Sequence, residues 1–237
     1  MSNLLAFIKK YKHGLIILAY FLIYILLFGY LENRTVYRYH VVHTVFDDMI
    51  PFCEVFIVPY LLWFPYMAFA IFYFIFINKN KHEYYQLVFN LMMGMTVFLI
   101  VSYIYPNVQH LRPQEFTRDN IFIDLVKFIY KTDTPTNILP SIHVFNSLAV
   151  HMSIISCKAL KDRRGIKFGS LILTTLIILS TMFLKQHSAI DVFLGVTLAL
   201  FGYLVFYPQK ASAPAKNRSL SDARNRKEKR YKRSEEH

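Results

Sequence analysis

His187 and Asp191 lie four positions apart where the apolar run Ser180–Gly195 is interrupted by Lys185, Gln186, His187 and Asp191. On a helix that spacing puts both side chains on one face. A carboxylate one turn from an imidazole can accept its ring N–H, which sets the tautomer and leaves the other nitrogen free to attack. A His–Asp pair that merely caps a helix is the plainer account of these two residues alone. The segment Leu139–Asn146 changes the balance, because Pro140, Ser141 and His143 sit at the start of another apolar block. Pro140 suits a first helical turn, with Thr136 or Asn137 as cap. Ser141 and His143 would then stand beside the free amides of a helix start, which favour an anion.

Arg112, in Gln109–Gln114, adds a planar cation able to grip two phosphate oxygens. Lys185 adds charge two residues before His187, although a lysine at a span end can equally reach back to the interface. No His, Cys, Asp or Glu set has metal-ligand spacing, and the neighbours Asp47 and Asp48 read as a solvated loop pair. Two histidines, a carboxylate and an anion site, with neither metal nor cofactor, point to phosphoryl transfer through a phosphohistidine. His187 would be the nucleophile, Asp191 its orienting partner and His143 the general acid. Arg112, Ser141 and Lys185 would hold phosphate oxygens.

At this point the chain resembles the type 2 phosphatidic acid phosphatase superfamily. That family carries three signatures, K-x6-R-P, P-S-G-H and S-R-x5-H-x3-D, on a core of six helices. Arg112–Pro113 matches the end of the first, Pro140, Ser141 and His143 the second, and Ser180, His187 and Asp191 the third. The resemblance extends over about residues 50–207. Tyr105, Ile142 and Thr181 stand where the family has lysine, glycine and arginine, so two of its three phosphate-binding cations are missing. In this the chain looks more like the branch with inositol-phosphorylceramide synthases, whose acceptor can be an alcohol. The resemblance implies a lipid phosphate substrate, with hydrolysis or transfer to an alcohol such as inositol as the alternatives.

The elements that must carry these residues follow from composition. Of 237 residues 55% are hydrophobic, and they come in long blocks rather than stripes. Blocks near 20 residues match the bilayer core, so we read an all-α polytopic membrane protein, a six-transmembrane-helix bundle. The expected spans are His13–Leu31, Phe52–Ile77, Tyr85–Tyr105, Ile138–Cys157, Gly165–Leu184 and Ser188–Tyr207. Segment 1–12 would be a cytoplasmic N-terminus, 13–208 the membrane domain and 209–237 a basic tail.

Twenty of the 27 Lys and Arg fall on the side of the termini and short loops, including ten in the tail. The positive-inside rule then places both termini in the cytoplasm and all three motifs on the outer face, with the plasma membrane as the expected location. The net charge of +12 also raises nucleic-acid binding, but a membrane-proximal tail attracted to anionic headgroups is the simpler account. A transporter or lipid-binding protein on the same scaffold is the non-catalytic alternative. Cys53 and Cys157 are isolated, so they make neither a disulfide framework nor a zinc site.

Overall fold

The computed structural model describes residues 9–208. The basic tail 209–237 and most of segment 1–12 lie outside the described residues. Eight helices follow in order. They are α1 Leu15–Asn33, α2 Val45–Met49, α3 Ile57–Phe72, α4 Lys81–Ile104, α5 Ile121–Thr132, α6 Ile142–Ser156, α7 Arg164–Phe183 and α8 Ala189–Phe206. A 3-10 turn leads into α1, another into α3, and a π turn at Tyr73–Ile77 continues α3.

Among the described residues, five helical stretches are long and apolar enough to cross a membrane: Lys9–Asn33, Glu54–Ile77, Lys81–Ile104, Arg164–Phe183 and Ala189–Phe206. Their outer surfaces carry exposed Phe21, Phe69, Phe168, Phe193 and Phe201, as suits side chains bathed in hydrocarbon. The fourth expected span, Ile138–Cys157, is instead the 15-residue helix α6. At 1.5 Å per residue it is roughly 22 Å long, short of the roughly 30 Å bilayer core. It starts late because the amides of Ile138 and Leu139 donate to Asn107 Oδ1, at 2.7 and 3.2 Å, which holds that stretch out of helix. Ser141, not Thr136 or Asn137, is the cap, its Oγ accepting from Val144 N.

α6 is the interior helix, packed against α3, α4, α7 and α8. Two glycines let neighbours reach it. A Cβ on Gly94 of α4 would stand 2.0 Å from the Phe145 ring, and one on Gly195 of α8 would stand 2.9 Å from the Ser141 carbonyl oxygen. The main core fills around it with Phe74, Tyr84, Leu87, Leu91, Phe145 and Val150.

At the end where α6 and α8 begin, the long connections fold into a cap. β1 (His40–Val41) and β2 (Asn107–Val108) pair in parallel, and Val108 also bridges to Thr136. Helix α5 was not anticipated. Asn120 caps it through the amides of Phe122 and Ile123, and Ile123, Val126 and Ile129 form its buried stripe. That stripe packs near Ile57, Tyr60 and Leu184.

Candidate active site

The junction between α7 and α8 builds the first part of the site. Helix α7 ends at Phe183, and Lys185 takes the left-handed conformation, φ 52°, which reverses the chain. The amides of Gln186 and His187 then both donate to the Thr181 carbonyl at 3.0 Å. Ser188 and Asp191 form a capping box at the start of α8, with Ser188 N donating to Asp191 Oδ2 at 2.9 Å. The same oxygen lies 3.3 Å from His187 Nδ1. Asp191 therefore caps the helix and orients the imidazole together. With Nδ1 protonated toward the carboxylate, Nε2 is the nitrogen left with its lone pair.

Helix α6 brings the second histidine. The Ser141 amide donates to the Asp191 carbonyl at 3.3 Å, and Gly195 permits the close approach of the two helix starts. His143 and His187 consequently face one another with ring centroids 5.6 Å apart. Tyr60 and Trp63 of α3 pack against the His143 ring at 4.8 and 4.6 Å.

Arg112 reaches the site from the segment after β2. Its guanidinium lies over the Tyr130 ring at 4.5 Å, donates to the Tyr130 carbonyl at 3.0 Å, and donates to Gln186 Oε1 at 2.5 Å. Two of its nitrogens are thus tied to protein, and the hold on Gln186 sets it beside His187. Burial lowers the Arg112 pKa, and the negative potential of Asp133 counters this.

Of the expected residues, His187, Asp191, His143, Ser141 and Arg112 converge. Lys185 does not join them. Its ammonium donates to the carbonyls of Asp47, at 2.6 Å, and of Ile50. The left-handed turn at 185 sends that side chain to the loop around α2 instead.

Two carboxylates emerge that sequence reasoning passed over. Asp47 is buried at 2% exposure rather than solvated. It accepts from Ser188 Oγ at 2.5 Å, Ala189 N at 2.7 Å and Thr44 N at 2.7 Å. Burial pushes its pKa up, but these hydrogen bonds outweigh that and leave it below the usual carboxylate range. Asp48, its neighbour, is exposed and pairs with His43 at 2.9 Å. Asp133 follows α5 and lies 3.5 Å from the Tyr60 hydroxyl, which points its proton at the carboxyl. Burial raises the Asp133 pKa, and the nearby His187 and Arg112 oppose the rise. An acid in a Thr-Asp-Thr-Pro turn carries no sequence signal that separates it from a solvated loop residue.

Several buried polar atoms here have no hydrogen-bond partner: His143 Nδ1, Asp191 Oδ1, Arg112 Nε and Gln186 Nε2. Folded proteins leave few such atoms, so the cluster calls for an account: a catalytic role, an ordered water or a ligand. Among the described residues, no group of three or more His, Cys, Asp or Glu side chains converges as a metal site would require. In comparison with known proteins, no family model matches the chain, and neither does a curated protein or a solved structure.

Proposed function

We propose that the protein is a membrane-embedded enzyme that transfers a phosphoryl group from a lipid phosphate through a phosphohistidine on His187, with water as the acceptor. The observation that carries this reading is the buried meeting of two histidines 5.6 Å apart, one held by a carboxylate, amid uncommitted polar atoms beside Arg112. A helix-capping His–Asp pair accounts for Ser188 and Asp191 but not for the other members.

In the first step Nε2 of His187 attacks phosphorus and forms the P–N bond. The bond to the lipid oxygen breaks, and protonated His143 gives that oxygen its proton. The Nδ1 proton stays with the Asp191 carboxylate partner, which stabilises the developing positive charge. In the second step water attacks phosphorus, the P–N bond breaks, and His143 takes the proton from the water. Arg112 and the Ser141 hydroxyl face the charge that spreads over the phosphoryl oxygens. Ser141 accepts from Val144 N, so its own proton remains available to donate.

The test is trapping. Protein in detergent is mixed with a 32P-labelled lipid phosphate and quenched in base. The expected product is a protein-bound phosphate that survives base, is lost in acid, and is missing in His187→Ala. Steady turnover with no such intermediate would refute the nucleophile. Binding of the lipid with no turnover at all would favour the transporter reading. Phosphate appearing on added inositol instead of in solution would make the acceptor an alcohol. With the motifs on the outer face, the lipid would be drawn from the outer leaflet.

A further inference from the structure

A cavity of about 660 Å³ runs along the bundle between α1 and α3, with α4 and α6 behind it. Its walls are almost wholly apolar, with Leu18, Phe21, Met67, Ile71 and Met95 among them. The polar ties of α1 explain the gap. Tyr20 bonds to Met92 O and Thr96, and Arg34 to the carbonyls of Ser102 and Tyr103, so α1 is fastened to α4. Leu18, Phe21 and Phe64 on the rim are 54%, 48% and 54% exposed, and the groove opens sideways to the surroundings of the bundle. Its far end is closed where Tyr11 meets Phe76 at 5.0 Å.

The near end is different in character. Trp63 lines the groove and is also the ring packed on His143. Asn146, one helical turn from His143, lines it too and is 2% exposed. Trp63 Nε1 and Asn146 Oδ1 are both buried with no partner. An otherwise dry groove thus meets the histidine site at two unpaired polar groups. From Trp63 to Phe76 the helix rises roughly 20 Å at 1.5 Å per residue, somewhat more than one leaflet of a roughly 30 Å bilayer core.

Building on the phosphoryl-transfer reading, we propose that this groove holds the hydrocarbon chain of an acylated lipid phosphate. The acyl carbonyl accepts from the Trp63 indole N–H, the unpaired donor of the two; Asn146 Oδ1 is an acceptor and takes no bond from it. The phosphate then sits one turn above, between His143 and His187, and the chain end lies near Phe76. A polyprenyl phosphate has no carbonyl at that depth and would leave the indole N–H unpaired. The site therefore selects acyl lipids over isoprenoid ones.

The experiment uses the full chain in nanodiscs, in the His187→Ala background, so that binding is read without turnover. Two photoreactive probes carry a diazirine at the chain end, one a phosphatidate and the other a polyprenyl phosphate. Labelled residues are mapped by mass spectrometry. The expected result is phosphatidate labelling around Ile71–Phe76 and Leu15–Leu18. Trp63→Phe should reduce it roughly 5- to 10-fold, the scale of one hydrogen bond. The polyprenyl probe should label weakly and stay unchanged in that variant. Leu18→Trp, which fills the groove away from both polar groups, should also block labelling, with melting temperatures confirming that each variant folds.

Labelling confined to α7 and α8 would overturn the proposal. So would chain-end labelling at Trp63, which would mean a lipid bound in reverse with its headgroup at Lys12. Equal labelling by both probes would overturn the acyl selectivity. If the groove labels as expected but wild-type protein forms no phosphoenzyme, the groove stands and the reaction falls. A phosphoenzyme with an unlabelled groove gives the converse.

Discussion

At the scale of single residues, the site divides into groups that would touch phosphate and groups that hold them. His187 has one nitrogen turned to Asp191 and the other free, so His187→Ala should abolish turnover in a folded protein. A general acid–base role alone contributes roughly 10²–10⁴-fold, and loss of the nucleophile should cost at least that, read as kcat on a detergent-solubilised lipid phosphate. Asp191→Asn should also lower kcat, since an amide can present its N–H to Nδ1 and select the wrong tautomer. Lys185 belongs to the holding group. Its ammonium sits on the Asp47 and Ile50 carbonyls, so Lys185→Ala should lower the melting temperature. The kcat of the remaining folded protein should change little. A drop in kcat/KM of roughly 10-fold without loss of stability would return Lys185 to the phosphate.

At the scale of elements, the short loop around α2 acts as a strap across the start of α8. Asp47 accepts from Ser188 Oγ and Ala189 N, 141 and 142 positions away, while Lys185 grips the same loop from the other side. Helix caps of this kind are typically worth about 0.5–2 kcal/mol. Asp47→Ala should therefore lower the melting temperature, by about 2–4 °C per kcal/mol in a domain of this size. It should lower kcat more than it raises KM, because it loosens the orientation of His187. The pH dependence has a definite sign. A carboxyl held below its ordinary pKa confers stability that is present above about pH 4 and lost as pH falls through the lower folded value. Asp47→Asn should flatten that acid limb in a thermal melt series. Gly195 makes a second prediction. Gly195→Val would press against the Ser141 carbonyl and the Val144 side chain. Overpacking typically costs about 1–3 kcal/mol, and here it would also part the two histidines, so activity should fall further than stability.

At the scale of the whole molecule, four of the five long apolar helices pack around a short interior one, and the site lies where the short helix begins. A helix with neighbours on all sides has no lipid face and need not match the bilayer thickness. Its deficit in length leaves room for a buried polar site at that end of the bundle. The orientation proposed from the basic residues can be checked by labelling single cysteines in a variant lacking Cys53 and Cys157. Glu115 and Lys79 are both exposed, the first in the connection that carries Arg112 and the second before α4. A cysteine at 115 should react with an impermeant reagent on intact cells, and one at 79 only after permeabilisation. The reverse pattern would put the site on the cytoplasmic face.

What the sequence determined by itself is what short-range geometry controls. Block length against bilayer thickness yielded the helical membrane class, and five of six expected spans correspond to helices long enough to cross. The four-residue spacing kept His187 within reach of Asp191, though through the cap of α8, which starts only at Ala189, rather than along a helix face, and adjacency to a helix start set Ser141 and His143. Tertiary structure alone decided the rest. α6 lost its first residues because Asn107, more than thirty positions earlier, takes the amides of Ile138 and Leu139. Lys185 left the site because one left-handed residue redirected it to a loop 135 to 138 positions away. Asp47 and Asp48, indistinguishable side by side in the sequence, part into a buried cap and a surface ion pair. Trp63 and Tyr60 read as two more aromatics in a greasy span until packing set them around His143. Each of these outcomes depends on which surfaces meet, and that is set by how the helices pack rather than by any local pattern of residues.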